Sequence, residues 1–228
     1  MVTTRKIEVA LPPLENGDRL TRNEFEARYS AMPELKKAEL IEGVVYLASP
    51  VRANNHSGPH GDLITWLGTY RVFTPGVTIN DNATVRLSDL NEPQPDALMR
   101  VAAEKGGSSR ITEDDYIEGP PELALEIAGS SAAYDLHDKK RVYKRYGIQE
   151  YIVWNSNERT ILWFELRSGE YVPLKPDESG IVKSRIFPGL WLNVDAFVAD
   201  DLIQVYETLQ LGLTDASHRA FVEKLKQI

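Results

Sequence analysis

"ELALEIAGSSAAYDLHDKKRVYKRYG", Glu122–Gly147, is the stretch whose reading decides the fold. It predicts a strand, a turn of small residues and a helix dense in positive charge. Side chains alternate along a strand, so Leu123, Leu125 and Ile127 share one face and Glu122, Ala124, Glu126 and Ala128 the other. A glutamate between two alanines in the middle of a core strand, followed by a run of lysines and arginines, calls for a chemical reason.

Working outward, "EYIVWN" predicts a second strand, and "TILWFELRSGEYVPL" a hairpin around Ser168-Gly169. "GIVKSRIFPGLWLNV" predicts further edge strands, and Asp195–Leu211 and Ala216–Lys226 are expected to be helical. Upstream, "LTRNEFEARYSAM" is a helix that Thr21 can cap with Glu24. "ELIEGVVYLASP" is a strand with Gly43 marking a bulge or a turn into a second strand. Leu63, Ile64 and Leu67 predict a short amphipathic helix over Gly61–Val72. "VTINDNATVRLSDLNEPQPDALMRV" holds two or three short strands, and "AAEKGGSSRITEDDYIEG" a polar loop or hairpin tip. The expected fold is α/β: a central mixed sheet flanked by helices, with an extended lead-in over 1–20, the main domain over 21–211 and a C-terminal helix over 212–228.

The 228 residues suffice for one full-sized domain. No apolar run approaches a membrane span and no signal segment follows Met1, so the cytoplasm is the expected compartment. The chain has no cysteine, which removes disulfides, thiolate metal sites and cysteine nucleophiles. Its formal charge of -8 opposes non-specific binding to a polyanion. Nucleic acid would need a local basic patch, with divalent cations offsetting the carboxylates.

Three features can make one site. "QPDALM" puts Asp96 at the start of a strand, after a proline tolerated there. Glu126 lies in mid-strand. The following helix carries Asp135, Lys139, Lys140, Arg141, Lys144 and Arg145, with Asp135, Lys139 and Tyr143 at i,i+4 spacing on one face. Two carboxylates and a lysine are the ingredients of phosphodiester hydrolysis. Asp96, Glu126 and the Ile127 carbonyl offer hard oxygens to Mg2+, with Mn2+ as a substitute, and water completes the shell. The ion would activate a water, and the ammonium would orient it and counter the developing charge. Ala124 and Ala128 leave room beside Glu126.

Each piece also has an ordinary role: an Asp after Pro in a turn, a Glu on a solvent face, a basic helix at the surface. His56 and His60 suit capping or surface positions. Ser130 and Ser131 have no histidine placed by sequence to activate them. Zinc is disfavoured by composition, and no phosphate-binding glycine loop is present.

Taken together, "ELIEGVVYLASP", His56, "QPDALM", "PPELALEIAGSS", "YDLHDKKRVYKRYGIQEYIVW" and "FPGLWLNV" resemble the Uma-two family of bacterial restriction-endonuclease-like proteins, over about Thr21–Leu211. That family is similar to the PD-(D/E)XK nucleases. The resemblance implies Glu39 as an upstream acid, Asp96 as the aspartate of the "PD" motif, Glu126 as the second metal-binding acid and Lys139 as the lysine. It also matches His56 and Asp135 to recurrent family positions. One departure is visible. Where the wider superfamily has a lysine two residues after the glutamate, this chain has Ala128. A helix-borne lysine can reach back, because its long flexible stem ends in three donors. Lys140 is the rival, about 100° around the helix. The expected activity is metal-dependent cleavage of nucleic acid, DNA first. A homodimer is expected, built on apolar edge strands such as "TILWFEL". The alternatives are a non-catalytic binding or assembly module on the same fold and an α/β enzyme of another class.

Overall fold

In the computed structural model, which describes residues 11–48, 52–129 and 134–228, the chain order is α1 (Arg22–Ser30), β1 (Ala38–Ile41), β2 (Val44–Leu47), α2 (Gly58–Val72), β3 (Val77–Asp81), β4 (Val85–Arg86), β5 (Ala97–Val101), β6 (Arg110–Ile111), β7 (Ile117–Glu118), β8 (Leu123–Ala128), α3 (Lys140–Tyr146), β9 (Glu150–Asn155), β10 (Thr160–Arg167), β11 (Glu170–Pro173), β12 (Ile181–Lys183), β13 (Trp191–Asn193), α4 (Val194–Val198), α5 (Leu202–Leu213) and α6 (Ala216–Gln227). Ser130 and Ser131 lie outside the described residues, as does the Asp135 side chain.

The central sheet has six strands in the order β11-β10-β9-β8-β5-β3. Every neighbouring pair is antiparallel except β8 with β9, the two strands joined through α3. A parallel pair needs such a crossover, since a tight hairpin would reverse the chain. Gly147 ends α3 at φ 83, a left-handed cap that glycine adopts without a Cβ penalty. The turn delivers the chain into β9.

Both faces of this sheet are covered, so alternation sorts side chains into two cores instead of a core and a solvent face. Leu123, Leu125 and Ile127 join Leu63, Trp66, Leu67 and Tyr70 of α2, and Leu209, Leu213 and Leu225 from α5 and α6. The Trp66 and Trp163 rings meet edge to face there, 5.8 Å apart. On the other face Ala124 and Ala128 lie under Val142 and Tyr143 of α3, together with Ile41, Tyr151 and Val153. The small residues of β8 thus let α3 approach.

The β1–β2 hairpin packs on this second face. Its turn is Glu42-Gly43, at φ 51 and φ 76, the doubly left-handed pair that two-residue hairpins need. Period-two alternation divides β1. Ala38 and Leu40 join Phe25 of α1 and Leu14, whereas Ile41 joins the α3 core. Lys37 and Glu39 are in phase with Ile41 and point the same way. The capping of α1 follows the sequence: the Glu24 carboxylate accepts from the Thr21 amide at 2.9 Å and its hydroxyl at 2.7 Å.

Three expectations are corrected. "TILWFEL" is not an edge strand, because β10 lies between β9 and β11. β12 and β13 do not extend the central sheet; they form a two-stranded sheet of their own. The first tail helix breaks between α4 and α5, where Asp200 takes φ 64 and the Asp201 carboxylate restarts the helix by accepting from the Gln204 amide. The polar 103–118 segment is a hairpin, β6 with β7, and β7 also pairs with β4.

Candidate nuclease site

Buried charge on the α3 face is concentrated at the end of β8. β5 pairs with β8 over Ala97–Met99, ending at Ala97 opposite Leu125. One step further, Asp96 lies opposite Glu126. The Ile127 amide donates to Asp96 Oδ2 at 2.8 Å, which draws the aspartate across the point where the two strands part.

Glu126 is only 1% exposed, although a glutamate in an alternating strand would ordinarily face water. Two of its partners come from one helical face. Lys139 Nζ lies 2.9 Å from Glu126 Oε1, and the Tyr143 hydroxyl donates to the same oxygen at 2.8 Å. Lys139 and Tyr143 are four residues apart, the spacing that stacks side chains one turn above another. Lys139 closes a π-helical turn, Asp135–Lys139, that leads into α3. Its ammonium also reaches Glu39 Oε1 at 2.8 Å, so one cation bridges acids from β1 and β8. Glu39 Oε1 further accepts from the Gln94 amide at 2.6 Å. Lys140 points elsewhere, with its ammonium 3.4 Å from the Phe164 ring centroid. Burial and Lys144 lower its pKa.

Around Asp96 stands a second set of bases. Lys37 donates to Asp96 Oδ1 at 2.9 Å and to Asn82 Oδ1 at 3.2 Å. His56 Nε2 lies 3.3 Å from Asp96 Oδ2. His60 Nε2 lies 2.9 Å from the Asp96 carbonyl and 3.1 Å from Asp81 Oδ1. His56 belongs to another π-helical turn, Ala53–Ser57, that opens α2. Wide turns of this kind recur at functional sites, where they re-aim a side chain. Burial works against ionisation of Asp96. The His56 contact, the charges of Lys37 and Lys139 and the Ile127 amide outweigh it and hold the carboxyl well below the usual range. Burial would depress Lys37, but Asp96 and Glu39 raise it above the ordinary lysine value. Burial, with Glu126 and Glu39 close by, pushes the Tyr143 phenol well up, so it stays a neutral donor.

Glu39, Asp96, Glu126 and Lys139 are thus brought into one buried network, with the Ile127 backbone beside it. Lys37 is not singled out by the sequence, His60 is expected there only as a capping or surface residue, and Tyr143 is noted only for its face. The signal for Lys37 was its alternation with Glu39 and Ile41. The rest of the basic helix is a salted surface. Arg141 and Arg145 pair with Glu42 at 2.7 and 2.8 Å, and Lys144 with Glu170 at 2.9 Å.

Among the described residues, no group of three or more His, Cys, Asp or Glu side chains is arranged to hold a metal ion. Asp96 and Glu126 nonetheless offer two carboxylates from adjoining strands. The Ile127 carbonyl faces the same side as its amide, because a strand residue's N–H and C=O address one neighbour. This all-oxygen donor set fits a hard cation that keeps much of its water shell, as Mg2+ does.

Two acids and a lysine thus meet where two strands part, on a mixed sheet covered by helices on both faces. Residues 22–195 match the model of the Uma2 family, described as "Putative restriction endonuclease", and the chain belongs to that family. The fold is similar to a crystal structure from Anabaena variabilis ATCC 29413, titled as a putative nuclease belonging to DUF820. The TM-score is 0.52 at 13% identity, over 80% of this chain and 97% of that one. No curated protein matches. Among the described residues, no helix is long and apolar enough to cross a membrane.

Proposed function

We propose that this chain hydrolyses phosphodiester bonds in nucleic acid, DNA first, with a divalent cation held by Asp96, Glu126 and the Ile127 carbonyl. The observation that carries the reading is the buried meeting of Asp96 and Glu126 with the Lys139 ammonium, 2.9 Å from Glu126. Mg2+, or Mn2+ in its place, would lower the pKa of a bound water and offset charge on the phosphate. The chain's own residues prepare that chemistry. Lys37 and the Ile127 amide keep Asp96 ionised and aimed at the strand opening. Lys139 and the Tyr143 hydroxyl hold Glu126 in one rotamer, and Glu39 shares Lys139, fixing the ammonium between two strands. Cutting both strands of a duplex calls for two sites, which a two-fold homodimer supplies.

A second reading has its own support. The ammoniums already satisfy the carboxylates, and the overall charge is -8, so the fold also suits a binding module that no longer cuts. Incubation of labelled DNA and RNA with the chain in Mg2+ or Mn2+ separates the two. Cleavage that disappears in Glu126→Gln is the expected result. Cleavage indifferent to that substitution, or none on any substrate, rejects the hydrolase.

A further inference from the structure

We infer that Lys37, rather than Lys139, is the ammonium that meets a phosphate of the nucleic acid; this rests on the proposed reading of the same site. The network is layered by exposure. Lys139 is 2% exposed at its side chain, and the acids it bridges, Glu39 and Glu126, are 8% and 1% exposed. A substrate cannot reach that ammonium without breaking two buried ion pairs. Lys37 is 21% exposed and His56 25%, and both flank Asp96, which is 7% exposed. They form the layer between the acids and solvent.

Donor arithmetic points the same way. An ammonium has three N–H donors. Lys37 spends one on Asp96 and one on Asn82, and among the described residues the third has no protein acceptor. A phosphate oxygen arriving at the strand opening meets that donor first. Asp81 also stands at this rim, where His60 Nε2 lies 3.1 Å from its carboxylate. Lys139 is then a positioning residue, acting through Glu126 and Glu39. The lysine that the sequence pattern singles out orients an acid, and the one it passes over touches the substrate.

The test combines binding and footprinting. A fluorescein-labelled DNA duplex and its RNA counterpart are titrated into the Glu126→Gln chain at several salt concentrations. Adding Lys37→Gln is expected to reduce the slope of log K against log salt by about 0.9, the loss of one phosphate contact. Lys37→Arg is expected to keep the slope, as is Lys224→Gln, an exposed control on α6. Amine-reactive labelling of the wild-type chain needs no substitution to fold. Lys37 is expected to be labelled in the free protein and protected by the duplex, with Lys139 unlabelled in both. An unchanged slope with Lys37 labelled equally in both states overturns the inference. If the wild type still cleaves in that case, the hydrolase reading survives alone. Protection of Lys37 without any cleavage leaves the phosphate contact and removes the hydrolysis. Failure to bind either nucleic acid overturns both.

Discussion

Glu126 and Glu150 are buried glutamates on adjacent parallel strands, 1% and 0% exposed, and the molecule treats them in opposite ways. Glu126 faces α3 at the far end of β8. It is met by a lysine and a phenol, beside an aspartate with its own lysine. Glu150 faces the other core at the start of β9, and four neutral donors surround it. Trp163 Nε1 and the Ser184 hydroxyl donate to Oε2 at 3.1 and 2.8 Å; the Arg185 and Ile186 amides donate to Oε1 at 2.6 and 3.3 Å. Burial outweighs these donors and pushes its pKa up to about 7. Glu150 pins the 184–186 segment to the sheet. The same residue type is paired with a cation in one place and held by neutral donors in the other. Burial alone does not single out a candidate acid; burial beside a cation does.

The sharpest way to break this comparison is to remove the cation. Lys139→Met leaves Glu39 and Glu126 buried without it, and is expected to cost about 3–5 kcal/mol in urea denaturation. Lys139→Met is also expected to lower cleavage by roughly 10- to 100-fold, the cost of losing a group that orients a metal-binding acid. Glu150→Gln is expected to leave cleavage unchanged and to cost about 1–3 kcal/mol, because its amide nitrogen turns toward donors.

The pH dependence sharpens the contrast. Glu150 rises from an ordinary value of 4.5 to about 7 on folding. Its protonated form is therefore favoured in the folded state. Its contribution is full below about 4.5 and is lost as pH climbs through 7, roughly 3 kcal/mol in all. Glu92 moves the same way, to about 8, through burial and the nearby Glu26 carboxylate. Asp96 has the opposite sign: its depressed pKa adds stability above the ordinary 3.8, lost as pH falls below it. Denaturation from pH 4.5 to 8 is expected to show a decline that is shallower in Glu150→Gln, the remainder belonging to Glu92. A decline that persists unchanged would assign it elsewhere.

Smaller effects separate the neighbours of Glu126. Tyr143→Phe removes one hydrogen bond to a carboxylate and is expected to cost about 1.5–3 kcal/mol by thermal melting. Lys140→Met loses only a cation–π contact with Phe164, about 0.5–1 kcal/mol, and is expected to leave cleavage within about twofold. This pairing tests the choice of Lys139 over its rival.

The fold was largely legible because alternation and turn residues act locally. Leu123, Leu125 and Ile127 do face one core, and Gly43 and Gly169 do mark hairpins. The order of strands was not. Nothing local in "TILWFEL" says that β11 will cover its outer edge, or that β12 and β13 will leave the sheet. For the site, Asp96 and Glu126 stood out as acids in strand contexts, whereas the choice of Lys139 among the helix bases, and of Glu39, came from the family resemblance. Lys37 and His60 meet the site only through tertiary packing. Lys37 precedes β1 by one residue, and its partner Asp96 lies 59 residues further along the chain, beyond α2, β3 and β4. His60 looked like a helix-start residue until its helix packed against the Asp96 carbonyl.

The central claim, that Glu126 and Asp96 form the cation-binding acids and Glu150 does not, is tested most directly by Mn2+ titration followed by electron paramagnetic resonance. The wild type and Glu150→Gln are expected to bind Mn2+ at one saturable site, lost in Glu126→Gln and in Asp96→Asn. Equal binding by all four proteins, or none by the wild type, would contradict it.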